Sequence, residues 1–257
     1  MRTGSLPTRR SILGLAVAIW AAMLGGRFVV TVVRADTPPV DLVLVLAVDV
    51  SGSVNQRRFE LQRDGYAAAF RDPRVLKAIR GGGLRGAIAV TLMQWTGPNL
   101  QVSAVPWKLV SDEGSAESFA ADIAAMPRHL YSGGTSISGA IDYGAQMLAA
   151  APFAGGRRVI DVSGDGANNR GSPVTMARDA AVARGITING LPILELERDL
   201  DEHYKNNVIG GDNAFMVVAQ TFEEFADAVL RKLVIEISGV DVVAVRQAAI
   251  DLLMDPW

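Results

Sequence analysis

Leu42-Val43-Leu44-Val45-Leu46-Ala47-Val48 runs without a polar side chain into Asp49-Val50-Ser51-Gly52-Ser53. An uninterrupted apolar run of this length predicts a strand covered on both faces, as in a parallel sheet sandwiched between helices. The polar cluster after it contributes nothing to strand formation. A carboxylate and two hydroxyls delivered together at a strand's carboxyl end read as a site carried by the scaffold. A hard divalent cation takes oxygen ligands of this mixed kind, and Mg²⁺ in particular keeps several waters and draws one or two carboxylates from the protein. For the pentapeptide alone, a helix N-cap is the competing reading, because Asp and Ser are favoured there.

Outward from this strand, apolar runs and helical periodicities alternate, the signature of an α/β domain. Phe59, Tyr66 and Phe70 share one face of a helix predicted over 54–70. Ala87 to Trp95 and Leu100 to Val105 are the next two strands. Gly97-Pro98-Asn99 between them marks a hairpin, so the third strand is expected to be antiparallel at the sheet edge. Phe119, Ile123 and Met126 predict a helix over 115–126, and Ile137, Ala140, Ile141, Gly144 and Leu148 form the stripe of another. Val159 to Val162 is a strand. Ser172 and Pro173 are read as the cap and first position of a helix that stops before Gly185. Ile186 to Leu194 and Ala214 to Ala219 complete six strands. Thr221 and Glu224 then make a capping box for a last helix through Leu233. The expected architecture is a doubly wound, mostly parallel six-stranded sheet with helices on both faces and one antiparallel edge strand.

Three loops bring oxygen ligands to the ends of these strands. Beside Asp49, Ser51 and Ser53 stand Ser132-Gly133-Gly134-Thr135-Ser136, whose glycines let the backbone come close, and Ser163-Gly164-Asp165-Gly166 directly after its strand. Each loop is weak evidence alone; together and in this order they reinforce one another.

With these residues the sequence resembles the von Willebrand factor A-like family, whose metal-ion-dependent adhesion site is Asp-x-Ser-x-Ser, then a threonine, then an aspartate. Asp49, Ser51, Ser53, Thr135 and Asp165 match it in residue type, and the resemblance runs from Asp41 to Gly239. Asp161 to Asn169 and Asn207 to Gly211 are similar to a bacterial branch of secreted proteins without a settled function. The resemblance implies that Ser51, Ser53 and Thr135 are hydroxyl ligands and that Asp49 and Asp165 bind directly or through water. Mg²⁺ is the first expectation, with Mn²⁺ or Ca²⁺ also compatible with an all-oxygen shell. Two carboxylates leave such a cation incompletely neutralised. An open coordination position can then accept a Glu or Asp carboxylate from a partner protein. The expected function is an exported, metal-dependent protein-binding module. The alternatives are a metal-assisted hydrolase acting on phosphate esters or similar substrates, and a structural ion closed to exchange. No Gly-x-Ser-x-Gly elbow, no second acid two positions after Asp49 and no histidine expected near the three loops supports the hydrolase.

Composition narrows the partners. The chain has 257 residues, enough for one large α/β domain, and 49% of them are hydrophobic, which supplies its core. A formal charge of −2 gives no basic field for nucleic acid, and the absence of cysteine excludes disulfides and thiolate metal sites. Residues 1–35 read as an export signal: Arg2, Arg9 and Arg10 precede the small and apolar stretch Ser11 to Gly26, and Val33-Arg34-Ala35 offers a cleavage site. Thr8-Arg9-Arg10-Ser11-Ile12-Leu13 resembles a twin-arginine signal. An uncleaved membrane anchor is the other reading, with Arg27 inside the stretch against it. Cleavage after Ala35 would leave 20 basic against 27 acidic residues, an acidic periplasmic or secreted product. Residues 36–239 are the expected domain and 240–257 a C-terminal tail.

Other polar residues have blander readings. Asp161, inside a strand, is expected to orient neighbouring backbone or hydroxyls rather than touch metal. Asn168 and Asn169 read as turn residues, with rimming the site as the alternative, and Asn207 to Gly211 as a turn. His129 and His203 are the only histidines and stand far apart in sequence, so neither is expected to be a ligand or a catalytic group. Trp95 and Trp107 are expected to pack at the hairpin.

Overall fold

The computed structural model describes residues 37–239; the expected signal segment and C-terminal tail lie outside them. Five strands form one sheet: β1 (Pro39–Asp49), β2 (Ile88–Trp95), β3 (Gln101–Val110), β4 (Ala154–Gly164) and β5 (Thr187–Pro192), in the order β3-β2-β1-β4-β5. All pairings are parallel except β2 with β3, which places the predicted antiparallel hairpin at one edge.

Strand β1 shows why the sequence folds this way. Leu42, Leu44, Leu46 and Val48 point to one face and Val43, Val45 and Ala47 to the other, and both sets are buried. The first face is covered by α1 (Gln56–Arg71), α2 (Pro73–Gly81), α3 (Glu113–Ala125) and α7 (Phe225–Ser238). The second is covered by α4 (Ile137–Ala149), α5 (Val174–Val182) and the segment formed by α6 (Leu200–His203) and one π-helical turn, Tyr204–Val208. Each fully buried leucine, isoleucine or phenylalanine of these layers contributes about 1.5–3 kcal/mol.

The expected sixth strand is a correction. Residues 214–219 do run beside β5 in parallel, with Gly190 N–H donating to Phe215 O (3.1 Å) and Ala219 N–H to Pro192 O (3.0 Å), but they form only isolated bridges. Pro192 has no N–H, so the ladder lacks the donor that a regular parallel register would aim at the Val217 carbonyl. The first predicted helix is α1, which ends at Arg71 as expected; Asp72, whose carboxylate accepts from Arg74 N–H at 2.8 Å, then starts α2, a helix the sequence pattern did not mark, with Pro73 at its first turn. Two helix starts differ. Pro173 itself occupies the N-cap of α5, and the Ser172 side chain makes no cap bond. At α7 the expected box is displaced: Thr221 Oγ1 accepts from Glu224 N–H, while Glu224 reaches Gln220 N–H. The segment read as a turn from Asn207 begins inside the π-helical turn.

This topology fixes where the site sits. The chain moves to one side of β1 through β2 and β3, then to the other through β4 and β5, so the loops after β1 and β4 diverge from adjacent strands. That switch point is where open α/β sheets form a crevice.

Candidate metal centre

Asp49, the last residue of β1, stands in register with Trp95 on β2, and its other neighbour in the row is Gly164 at the end of β4. Its carboxylate is buried; Oδ1 accepts from Ser51 N–H at 2.7 Å, which turns the chain so that both serine hydroxyls come back beside it. Ser51 Oγ and Ser53 Oγ lie 3.1 Å apart, and Ser53 Oγ donates to Asp165 Oδ1 at 2.7 Å. The first and third predicted loops therefore meet. Ser53 also stands before α1, but Asn55 is its cap, accepting from Arg58 N–H at 3.0 Å. The N-cap explanation of the serines is thereby removed.

Thr135 arrives on the second loop, which two asparagines latch to the third. Asn169 Oδ1 accepts from Thr135 N–H (2.9 Å), Asn169 N–H donates to Thr135 O (2.9 Å), and Asn168 Oδ1 accepts from Ser138 N–H (3.1 Å). Gly133 and Gly134 adopt φ of 128° and 83°, conformations open to glycine. A side chain on Gly134 would also strike Arg170 and Asn169. Thr135 is nearly buried, and its hydroxyl faces the backbone at Gly166.

Two arginines brace the assembly. Arg128 donates to Val50 O (2.9 Å), Ser51 O (3.1 Å) and Leu130 O (2.9 Å), tying the first loop to the segment that leads into the second. Arg58 donates to Ser53 O at 2.8 Å and pairs with Glu195 at 2.6 Å. Sequence reasoning missed both, as lone arginines with no motif around them. Asn168 and Asn169, read as turn residues, are the latch itself.

Burial and mutual repulsion make the two carboxylates hard to ionise together. Burial, with Asp165 adding its negative field, pushes the Asp49 carboxyl from 3.8 up to about 7. Burial also raises Asp165, against the hydrogen bond from Ser53 and the charge of Arg58. Asp49 Oδ2 and Asp165 Oδ2 are both buried without a hydrogen-bond partner. Orphaned buried carboxylate oxygens are costly, and two of them with the Ser51 and Ser53 hydroxyls fit a hard divalent cation. Among the described residues no group of three or more His, Cys, Asp or Glu gathers at one point. Neutral oxygens, from hydroxyls, backbone carbonyls or water, would complete a shell here.

The remaining polar residues fall away from the cluster. Asp161 lies on the opposite face of the sheet from Asp49, 2.6 Å from Lys232 Nζ of α7, and so orients none of the site's hydroxyls. His203, distant in sequence, folds against the third loop, where its Nε2 accepts from Asn168 N–H at 3.5 Å. His129 donates its backbone N–H to Gln94. Trp95 is core, and Trp107 packs on Phe153.

The sheet order and the three convergent loops define a von Willebrand factor A-like domain. The chain belongs to the family described as "Protein of unknown function (DUF1194)", whose model matches residues 39–241. No curated protein matches it. Among solved structures it is similar to proximal thread matrix protein 1 of the mussel byssus, determined with a zinc-occupied adhesion-site motif. That match has 18% identity and a TM-score of 0.56, and covers 80% of this chain and 50% of that one. The von Willebrand factor type A protein of Catenulispora acidiphila aligns at 17% identity and TM-score 0.52, over 78% of this chain and 43% of that one. The pilus adhesin SpaC of Lactobacillus rhamnosus GG aligns at 17% identity and TM-score 0.52, over 80% and 30%. The chain thus spans half or less of these proteins, and at such identities the likeness is one of fold.

Proposed function

We propose that this domain is an exported module that binds a partner protein through a divalent cation held by Asp49, Ser51, Ser53, Thr135 and Asp165. The observation that carries the reading is the pair of buried, unpartnered oxygens, Asp49 Oδ2 and Asp165 Oδ2, where the Ser51 and Ser53 hydroxyls of the first loop meet the carboxylate of the third, with Thr135 latched to the third loop through Asn169. A bound Mg²⁺, or Mn²⁺ or Ca²⁺, would supply a positive centre with an exchangeable position for a Glu or Asp carboxylate. Asp49 and Asp165 hold the charge, Ser51 and Thr135 keep neutral oxygens in a buried shell, and the exposed Ser53 marks the side open to a partner. Binding is preferred to catalysis because the chain has no Gly-x-Ser-x-Gly elbow and no second acid two positions after Asp49. His203 stands against the third loop, held by Asn168 and Asn207, with burial lowering its pKa. Export rests on the basic and apolar character of residues 1–35. Among the described residues no helix is long and apolar enough to cross a membrane.

The experiment is affinity capture from a periplasmic extract with Mg²⁺, with chelator, and with Thr135→Ala. The expected result is a protein retained by wild type in Mg²⁺ and lost in both other arms. A partner retained in all three would place recognition away from the cation.

A further inference from the structure

Around Gly164 the structure gathers three buried polar atoms that have no hydrogen-bond partner: Asp49 Oδ2, Tyr204 Oη and Trp95 Nε1. A Cβ at Gly164 would come within 3.0 Å of Asp49 Oδ2, 3.0 Å of the Tyr204 hydroxyl and 3.3 Å of Trp95 Cζ2. The carboxylate and the phenol oxygen therefore lie no more than twice 3.0 Å apart, a gap that a small shift or one water closes. The tyrosine is placed there by construction. Its ring crosses β5 at Gly190, where any side chain would meet Tyr204 Cδ1 at 2.6 Å. Its backbone opens the π-helical turn, with Ile209 N–H donating to Tyr204 O at 3.0 Å. Such turns concentrate at functional sites because they re-aim one residue of a helix. Two strand glycines and a π-turn thus aim a fully buried hydroxyl at the back of the first metal-site carboxylate.

We infer that Tyr204 is a positioning residue of the metal centre: its hydroxyl donates to the Asp49 carboxylate, directly or across one water, and holds it in the orientation that binds the cation. This rests on the cation site proposed above. Residues that hold a metal ligand by hydrogen bond commonly change metal affinity by about 10–100-fold when removed. A phenol serving only the core would leave metal affinity alone.

The test is Tyr204→Phe, which keeps the ring in its slot, with Mn²⁺ affinity measured by calorimetry and melting followed in chelator and in Mn²⁺. The expected result is Mn²⁺ affinity at least about 10-fold weaker than wild type. Melting in chelator should fall less than melting in Mn²⁺, because the bond to Asp49 matters most when the cation holds the carboxylate ionised. Equal Mn²⁺ affinity in wild type and variant would overturn the inference while leaving the cation site standing. Equal losses of melting temperature in both conditions, with affinity intact, would also overturn it by showing a structural role. A wild type without any Mn²⁺ response would overturn the cation site and this inference with it.

Discussion

Replacing Lys232 with methionine will destabilise the domain by about 3–5 kcal/mol, the loss expected when one partner of a buried ion cluster is removed. Lys232 is fully buried in α7, with its ammonium 2.6 Å from Asp161 on β4 and 3.2 Å from Glu236 one helical turn on. Asn189 of β5 donates to the same Glu236 oxygen at 2.7 Å and accepts from Phe215 N–H at 2.8 Å, and the Phe215 ring lies 5.0 Å from the ammonium. One cation therefore joins the last helix, two strands and the bridging segment beside β5. Even with that cation present, burial holds Asp161 up at about 6. Without it, two acids remain buried with no counter-charge. Urea unfolding at neutral pH measures the loss, and Asp161→Asn with Glu236→Gln added to Lys232→Met should restore most of it. A loss below about 1 kcal/mol would mean that the cluster is solvated as exposed ion pairs are.

In chelator, stability will fall as pH rises from about 4 to 7. A carboxyl whose pKa is 3.8 in the open chain and about 7 in the native state holds a proton across that window only when folded. The native state then binds more protons than the unfolded one, so its advantage is full below the lower value and gone above the upper. For Asp49 the difference is worth about 4 kcal/mol at about 1.4 kcal/mol per unit. Asp161 adds in the same direction, up to about 6. Saturating Mg²⁺ should act oppositely, because the cation binds the carboxylate and its stabilisation grows over the same pH range. Urea midpoints across this range, with and without Mg²⁺, give both slopes. A chelated protein whose stability rises with pH would show that Asp49 is ionised without a cation.

What the sequence made legible was what it wrote contiguously. Seven apolar residues ending in Asp49-Val50-Ser51-Gly52-Ser53 gave the central strand and the first loop. The hairpin at Gly97-Pro98-Asn99 gave the antiparallel edge, and Thr135 and Asp165 were found because glycines flag their loops. The sixth strand failed on one atom: its apolar pattern is real, but Pro192 on the facing strand withholds a donor, which periodicity in residues 214–219 cannot reveal. The brace from Arg128 to Val50 and Ser51 spans more than seventy positions, and nothing local marks it. Tyr204 was hidden for the same reason, since the slot that aims it is made by Gly164 and Gly190 on other elements. Asp161 repeats the Asp-Val-Ser-Gly of the first loop, and the expectation that it stays off the metal site holds while its role in orienting hydroxyls does not. Strand parity turns its side chain to the opposite face, towards α7.

Asp49 and Asp165 are proposed to hold one divalent cation between them, and calorimetric titration of Mg²⁺ and Mn²⁺ into wild type, Asp49→Asn and Asp165→Asn tests this most directly. One binding event per wild-type molecule, absent from both variants while each still unfolds cooperatively in chelator, is the expected result. Undiminished binding in either variant would contradict it, and so would a wild type that takes up no cation at all.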